Sequence, residues 1–139
     1  MPHLIVIDDL MTELGDHKGL ANLFTKGSHH LNISIIFISQ NLFHQGKQMR
    51  SICLNCHYYI ILKNPRDQNQ ILTFARQAFP ANPRYLLDSY SDSTSKEYGY
   101  IRVDFTQTTP DNYRLLSTLT PEESQYIGCD FAPTVYLPR

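Results

Sequence analysis

Three short apolar runs, each closing on polar residues, constrain this chain more than any other feature. Leu4 to Ile7 is continuously apolar and stops at Asp8-Asp9. Ile33 to Ser39 is rich in β-branched residues and gives way to Gln40-Asn41. Tyr58 to Leu62 leads into Lys63 to Arg66. Apolar runs this short, without polar alternation, read as strands buried on both faces. Helical signals separate them. Thr12 can cap a helix with Leu20, Leu23 and Phe24 on one side and Gly27 at its end. A second helix is expected from about Lys47 to Asn55. Asn64-Pro65 reads as a cap and first position of a third, with Asp67 in its first turn. Ile71, Phe74, Ala75, Ala78 and Phe79 form its inward stripe, and Pro80 and Pro83 end it. A short helix from Pro83 to Tyr90 follows. Strand and helix thus alternate as βαβαβ, which predicts an α/β fold with a parallel sheet.

From Ser91 the character changes. Ser91 to Ser95 reads as a loop, and Tyr98 to Phe105 alternates like a half-exposed strand with Tyr113 to Leu116 as its hairpin partner. The stretch from Thr120 reads as a loosely patterned tail. The expected division is therefore residues 1–90, an α/β core, and residues 91–139, a β-hairpin and tail.

The polar residues that could do chemistry sit where the apolar runs end, and open α/β sheets bind ligands at the carboxyl edges of their strands. An apolar strand closing on two carboxylates is the Walker B pattern. The first acid helps hold hydrated Mg²⁺, which prefers hard oxygen ligands; the second orients or deprotonates an attacking water. Apolar strands also end in Asp simply because acids suit the next loop. Gln40 strengthens the chemical reading, since an amide offers donors and an acceptor to a water and a phosphate oxygen.

As a set, "LIVIDDLMTEL", "FTKGSHHLNISIIFISQNLF" and "MRSICLNCHYYIILKNPRDQNQI" resemble successive blocks of the packaging ATPases of poxvirus-like large DNA viruses and Maverick/Polinton elements. These form a branch of the FtsK–HerA superfamily of P-loop motor ATPases. The likeness spans about residues 3–80 in order and fades beyond. It implies a RecA-like core, Mg²⁺ and ATP as cofactors, double-stranded DNA as substrate and a homo-oligomeric ring, or a full-length ATPase subunit, as partner. Asp8 would be the Mg²⁺-associated acid, Asp9 the general base and Gln40 the sensor glutamine. Arg50 and Arg66 both lie in matched blocks, and either could be the arginine finger or a DNA-facing arginine. The superfamily often has Glu where Asp9 stands.

The largest departure is the phosphate-binding loop. The sequence holds no GxxxxGK(S/T), so no backbone amides and no lysine cradle the β- and γ-phosphates. By resemblance the strand carrying that loop would sit between residues 33–39 and 58–62, and its loss leaves unpaired inner edges. The expectation is a truncated gene copy, an incomplete gene model or one piece of a split protein, inactive as an ATPase on its own.

Composition leaves room for a second reading. The net charge of the 139 residues is −1, yet residues 47–87 carry Lys47, Arg50, Lys63, Arg66, Arg76 and Arg84 against Asp67 alone. A basic block in a near-neutral chain suits phosphate, so a non-catalytic module that docks on DNA or on an ATPase ring is the alternative. Cys53, Cys56 and His57 spell CxxCH, which raises a minor third reading, haem attachment or zinc with His29, His30 or Cys129 as a fourth ligand. The three cysteines do not suggest a secreted disulfide scaffold. No stretch approaches the ~20 apolar residues that span a bilayer, and the N-terminal run meets Asp8 too soon for a signal peptide. An intracellular protein with no membrane partner is expected.

Overall fold

A computed structural model of the chain describes residues 3–8, 19, 22–24, 32–43, 47–119 and 135–138, with the backbone alone for 47–50. These fall into two units, Met1–Cys56 and His57–Arg139.

In the first unit, β1 (His3–Asp8) and β2 (Ile33–Ile38) pair in parallel, with His3 opposite Ile33 and Asp8 opposite Ile38. Asn32 enters β2 with a φ of 50°, a left-handed conformation that asparagine tolerates better than most residues. The alternation of a strand sends Ile5, Ile7, Ile35 and Phe37 to one face. There they pack with Phe24, with Cys56 and with Ile52 of α1 (Lys47–Leu54). The Phe24 and Phe37 rings meet edge to face at 6.2 Å, the arrangement their quadrupoles favour. The opposite face bears Leu4, Val6, Ile36 and Ile38, all between 47% and 60% exposed. Parallel sheets normally have both faces covered, so this pair carries a strand composition made for a neighbour. The helix expected around Leu20 to Phe24 lies mostly outside the described residues.

The second unit corrects the expectation that residues 58–62 extend the parallel sheet. Here β3 (Tyr58–Leu62) pairs antiparallel with β4 (Tyr100–Asp104), followed by β5 (Leu115–Leu116) and β6 (Val135–Tyr136) in the order β3-β4-β5-β6. The expected hairpin of β4 and β5 is present, but it belongs to the same sheet as β3. Two helices, α2 (Gln68–Ala78) and α3 (Pro83–Ser93), fill the space between β3 and β4 in sequence. Their buried stripes, Ile71, Phe74 and Ala75 of α2 and Tyr85, Leu86, Ser89 and Tyr90 of α3, join the inner strand residues Ile61, Ile101, Val103 and Leu115 in the core. An aromatic cluster of Tyr59, Phe74, Phe79, Tyr85 and Phe105 closes one end.

Side chains tie the periphery to this core. The Tyr90 hydroxyl accepts the Asn64 amide at 2.8 Å and donates to the Leu62 carbonyl at 3.2 Å, pinning α3 to the end of β3. The Tyr85 hydroxyl donates to the Tyr136 carbonyl and the Tyr136 hydroxyl to Asp92, which holds the two-residue β6 in place. Burial and the Asp92 carboxylate push the Tyr136 phenol well above its ordinary value.

Gly99 sits at the turn into β4, where an added Cβ would collide with the Ser93 carbonyl and lie 3.0 Å from that of Lys96. Both obstacles are backbone and cannot rotate away. Gly99→Ala is therefore expected to destabilise this unit by roughly 2 kcal/mol, seen as a lower urea midpoint with an unchanged slope. A midpoint within error of the parent would show that the turn opens freely.

Candidate functional site

The parallel pairing of β1 and β2 brings two of the sequence-derived residues to one edge. Asp8 is the last residue of β1 and exposed, and Gln40 stands two residues beyond the end of β2, also exposed. A local turn sets the position of Gln40. The Asn41 amide donates to Ser39 Oγ at 3.1 Å, and that hydroxyl donates to the Asn41 carbonyl at 2.6 Å. The backbone at 39–41 is thus satisfied by its own serine, and the Gln40 side chain is not needed to cap it. A carboxylate and an amide on adjacent strand tips can hold a hydrated cation and a water between them.

The remaining predicted residues are not assembled by the described geometry. Asp9 lies outside the described residues, as do the side chain of Arg50 in α1 and all of His29, His30 and Cys129. Arg66 belongs to the second unit, exposed in the turn before α2, where its amide donates to Asn64 Oδ1 at 3.1 Å. Lys63, Arg76 and Arg84 are exposed as well.

The Mg²⁺ and ATP that the resemblance implies fit this chain in part. Asp8 at the end of β1 offers the hard oxygen that Mg²⁺ takes, and Gln40, two residues past β2, an amide. No sequence element supplies the phosphate cradle.

Cys53 lies in α1 and Cys56 just beyond its end. Cys53 and Cys56 are free thiols, bonded to the carbonyls of Leu42 and Ile52. Burial, with the neighbouring Cys53, pushes the Cys56 thiol up to about 11. Among the described residues no three His, Cys, Asp or Glu side chains converge to hold a metal. No helix among them is long and apolar enough to cross a membrane.

Sequence reasoning missed two polar features of the second unit. One is the buried carboxylate Asp104, which takes hydrogen bonds from the Thr106 amide and the Thr106 and Thr109 hydroxyls at 2.7–2.9 Å. Its signal, an Asp followed by threonines at two and five residues, is visible only once Asp104 is known to be buried. The other is Arg102, half-buried on an otherwise apolar face. Strand alternation points it outward but does not reveal that Leu119 folds over it. No protein-family model, curated protein or solved structure matches the chain.

Proposed function

We propose that the chain is the Walker B and sensor portion of a DNA-packaging motor ATPase of the FtsK–HerA kind, working with a phosphate-binding loop supplied by a companion segment. The parallel pairing of β1 and β2 supports this reading, because it pairs Asp8 with Ile38 and so brings the carboxyl ends of both strands, with Gln40 two residues beyond β2, to one edge. Asp8 would hold the Mg²⁺ that bridges the β- and γ-phosphates, Asp9 would orient the attacking water, and Gln40 would hold that water and a γ-phosphate oxygen. The uncovered apolar face of β1 and β2 supports the same view, since a strand and helix bearing the loop would bury it. Arg50 or Arg66 would neutralise transition-state charge from a neighbouring subunit in a ring, and double-stranded DNA would be the substrate moved.

Steady-state ATP hydrolysis by the chain alone, and by the chain mixed with or joined to a segment carrying a phosphate-binding loop, tests the proposal. No turnover is expected alone. Mg²⁺-dependent turnover is expected with a segment carrying GxxxxGK(S/T), and Asp9→Asn should remove it while leaving ATP binding in place. Turnover that survives Asp9→Asn and Gln40→Ala would overturn the assignment. Salt-sensitive DNA binding without turnover would instead favour an accessory module acting through the exposed Lys63, Arg66, Arg76 and Arg84.

A further inference from the structure

In the order β3-β4-β5-β6 the strand β3 is an edge, paired with β4 on one side and with no described strand on the other. The phase of the ladder decides which of its backbone groups face outward. The Phe105 amide donates to the His57 carbonyl, so these two residues form a bonded pair in the β3–β4 register. Bonded pairs recur at every second residue of an antiparallel ladder, which directs the N–H and C=O groups of Tyr59 and Ile61 at β4. Those of Tyr58, Ile60 and Leu62 point the other way, at the free edge. The next ladder agrees with this phase, since the Asp104 amide donates to the Arg114 carbonyl on the β5 side. Of the outward groups, the Leu62 carbonyl accepts the Tyr90 hydroxyl with one of its two lone pairs.

An open strand edge is a template for another strand, and native proteins blunt it with lysine, proline or a bulge. The five residues of β3, Tyr-Tyr-Ile-Ile-Leu, carry no charge and no proline, and their register with β4 is unbroken. Their outward groups are also self-complementary. Antiparallel alignment of two β3 strands about Ile60 sets Tyr58 opposite Leu62 of the second copy, and Ile60 opposite Ile60. Each of these positions turns its N–H and C=O outward, so opposed residues can exchange both bonds. The Tyr58, Ile60 and Leu62 side chains, each about half exposed or more, then meet as apolar cross-strand pairs. Lys63, the first charged residue past the strand, falls opposite His57 and not opposite its own copy. We propose that a second copy of the chain docks on the free edge of β3, antiparallel and centred on Ile60, to form a two-fold dimer with a continuous sheet. Such a contact is isologous and closed, unlike the head-to-tail contacts of a ring. It does not rest on the ATPase reading, under which a phosphate-loop strand would take the same edge; the dimer belongs to the chain alone, and its failure leaves the ATP hydrolysis test untouched.

A five-residue edge is small beside the roughly 1,200 Å² of a standard interface, so the dimer should be weak and concentration-dependent. Sedimentation velocity of the full chain from about 10 µM to about 1 mM should show the average mass rising from monomer towards dimer. Over the same series, NMR-detected amide exchange should slow at Tyr58, Ile60 and Leu62, while Tyr59 and Ile61, already bonded to β4, keep their protection. Ile60→Lys, which sets two like charges face to face, should weaken the dimer about tenfold or more. Ile60→Pro should do the same, because the N–H it removes points at the free edge and not at β4. A chain that stays monomeric at about 1 mM would overturn the proposal. So would a dimer that forms undiminished in Ile60→Lys, or one that leaves the three outward amides unprotected. The mass and exchange of the unaltered chain decide the matter even where a variant fails to fold.

Discussion

Asp104→Ala is expected to destabilise the His57–Arg139 unit by roughly 3 kcal/mol, with Asp104→Asn costing less. The carboxylate is 6% exposed. One oxygen takes the Thr106 amide at 2.8 Å and the Thr106 hydroxyl at 2.7 Å, and the other takes the Thr109 hydroxyl at 2.9 Å. Removing it leaves a buried amide and two hydroxyls to find new acceptors, whereas asparagine keeps one acceptor oxygen. The same geometry fixes the sign of the pH dependence. Burial alone would raise the Asp104 pKa, but the bonds from Thr106 and Thr109 and the Arg102 charge outweigh it, and the net shift is downward. A carboxyl group held below its unfolded value of about 3.9 stabilises the fold above that pH. That contribution fades as the pH falls from there through the folded value. Urea titrations at neutral pH and near pH 3 should show the parent losing this increment and Asp104→Asn losing less. An alanine variant within about 0.5 kcal/mol of the parent, or an acid limb that does not change, would refute the assignment.

All nine tyrosines lie between residues 58 and 136, and the chain has no tryptophan. Tyrosine fluorescence therefore reports the second unit alone, and each stability prediction made for that unit can be read without interference from Met1–Cys56.

Much of the fold was legible because a few residues dominate locally. The β-branched run at 33–38 and the apolar run at 4–7 read as strands, and the long connection between them leaves room for the parallel pairing they adopt. The partner of β3 was not legible. A five-residue apolar run says that a strand is covered but not by which neighbour, and the alternation at residues 98–105 marks a strand without showing that it pairs with β3 as well as with β5. The start of α2 moved from Asn64 to Asp67 for a local reason. Asn64 caps the turn at Arg66 instead, while Asp67 takes both the amide and the side-chain amide of Gln70. The helix α3 runs to Ser93, past Tyr90, although serines favour loops. Ser89, Ser93 and Thr94 each donate to a carbonyl three or four residues back, which makes a serine-rich stretch compatible with helix. The strand β6 is two residues long and held by tyrosine hydroxyls from afar, beyond any periodicity. At the candidate site, the edge carrying Asp8 and Gln40 was readable because both residues directly follow apolar runs, a purely local pattern. The setting of Arg102 depends on the Leu119 carbonyl, 17 residues away, reaching its Nη1, which nothing local announces.

Ile101→Ala should cost roughly 3–4 kcal/mol, while Leu62→Ala on the neighbouring strand should change stability by less than about 0.5 kcal/mol. The two residues carry similar apolar side chains one position apart in the β3–β4 register, since Ile101 faces Ile61 and Leu62 faces Tyr100. Their surroundings differ entirely. Ile101 is fully buried and Leu62 is 62% exposed. Truncating the first removes transfer energy and leaves a cavity that α2, α3 and Leu115 cannot close without moving. Truncating the second exchanges one solvated surface for a smaller one. Tyrosine-detected urea midpoints measure both, and comparable losses would mean that the open face of β3 is in fact covered.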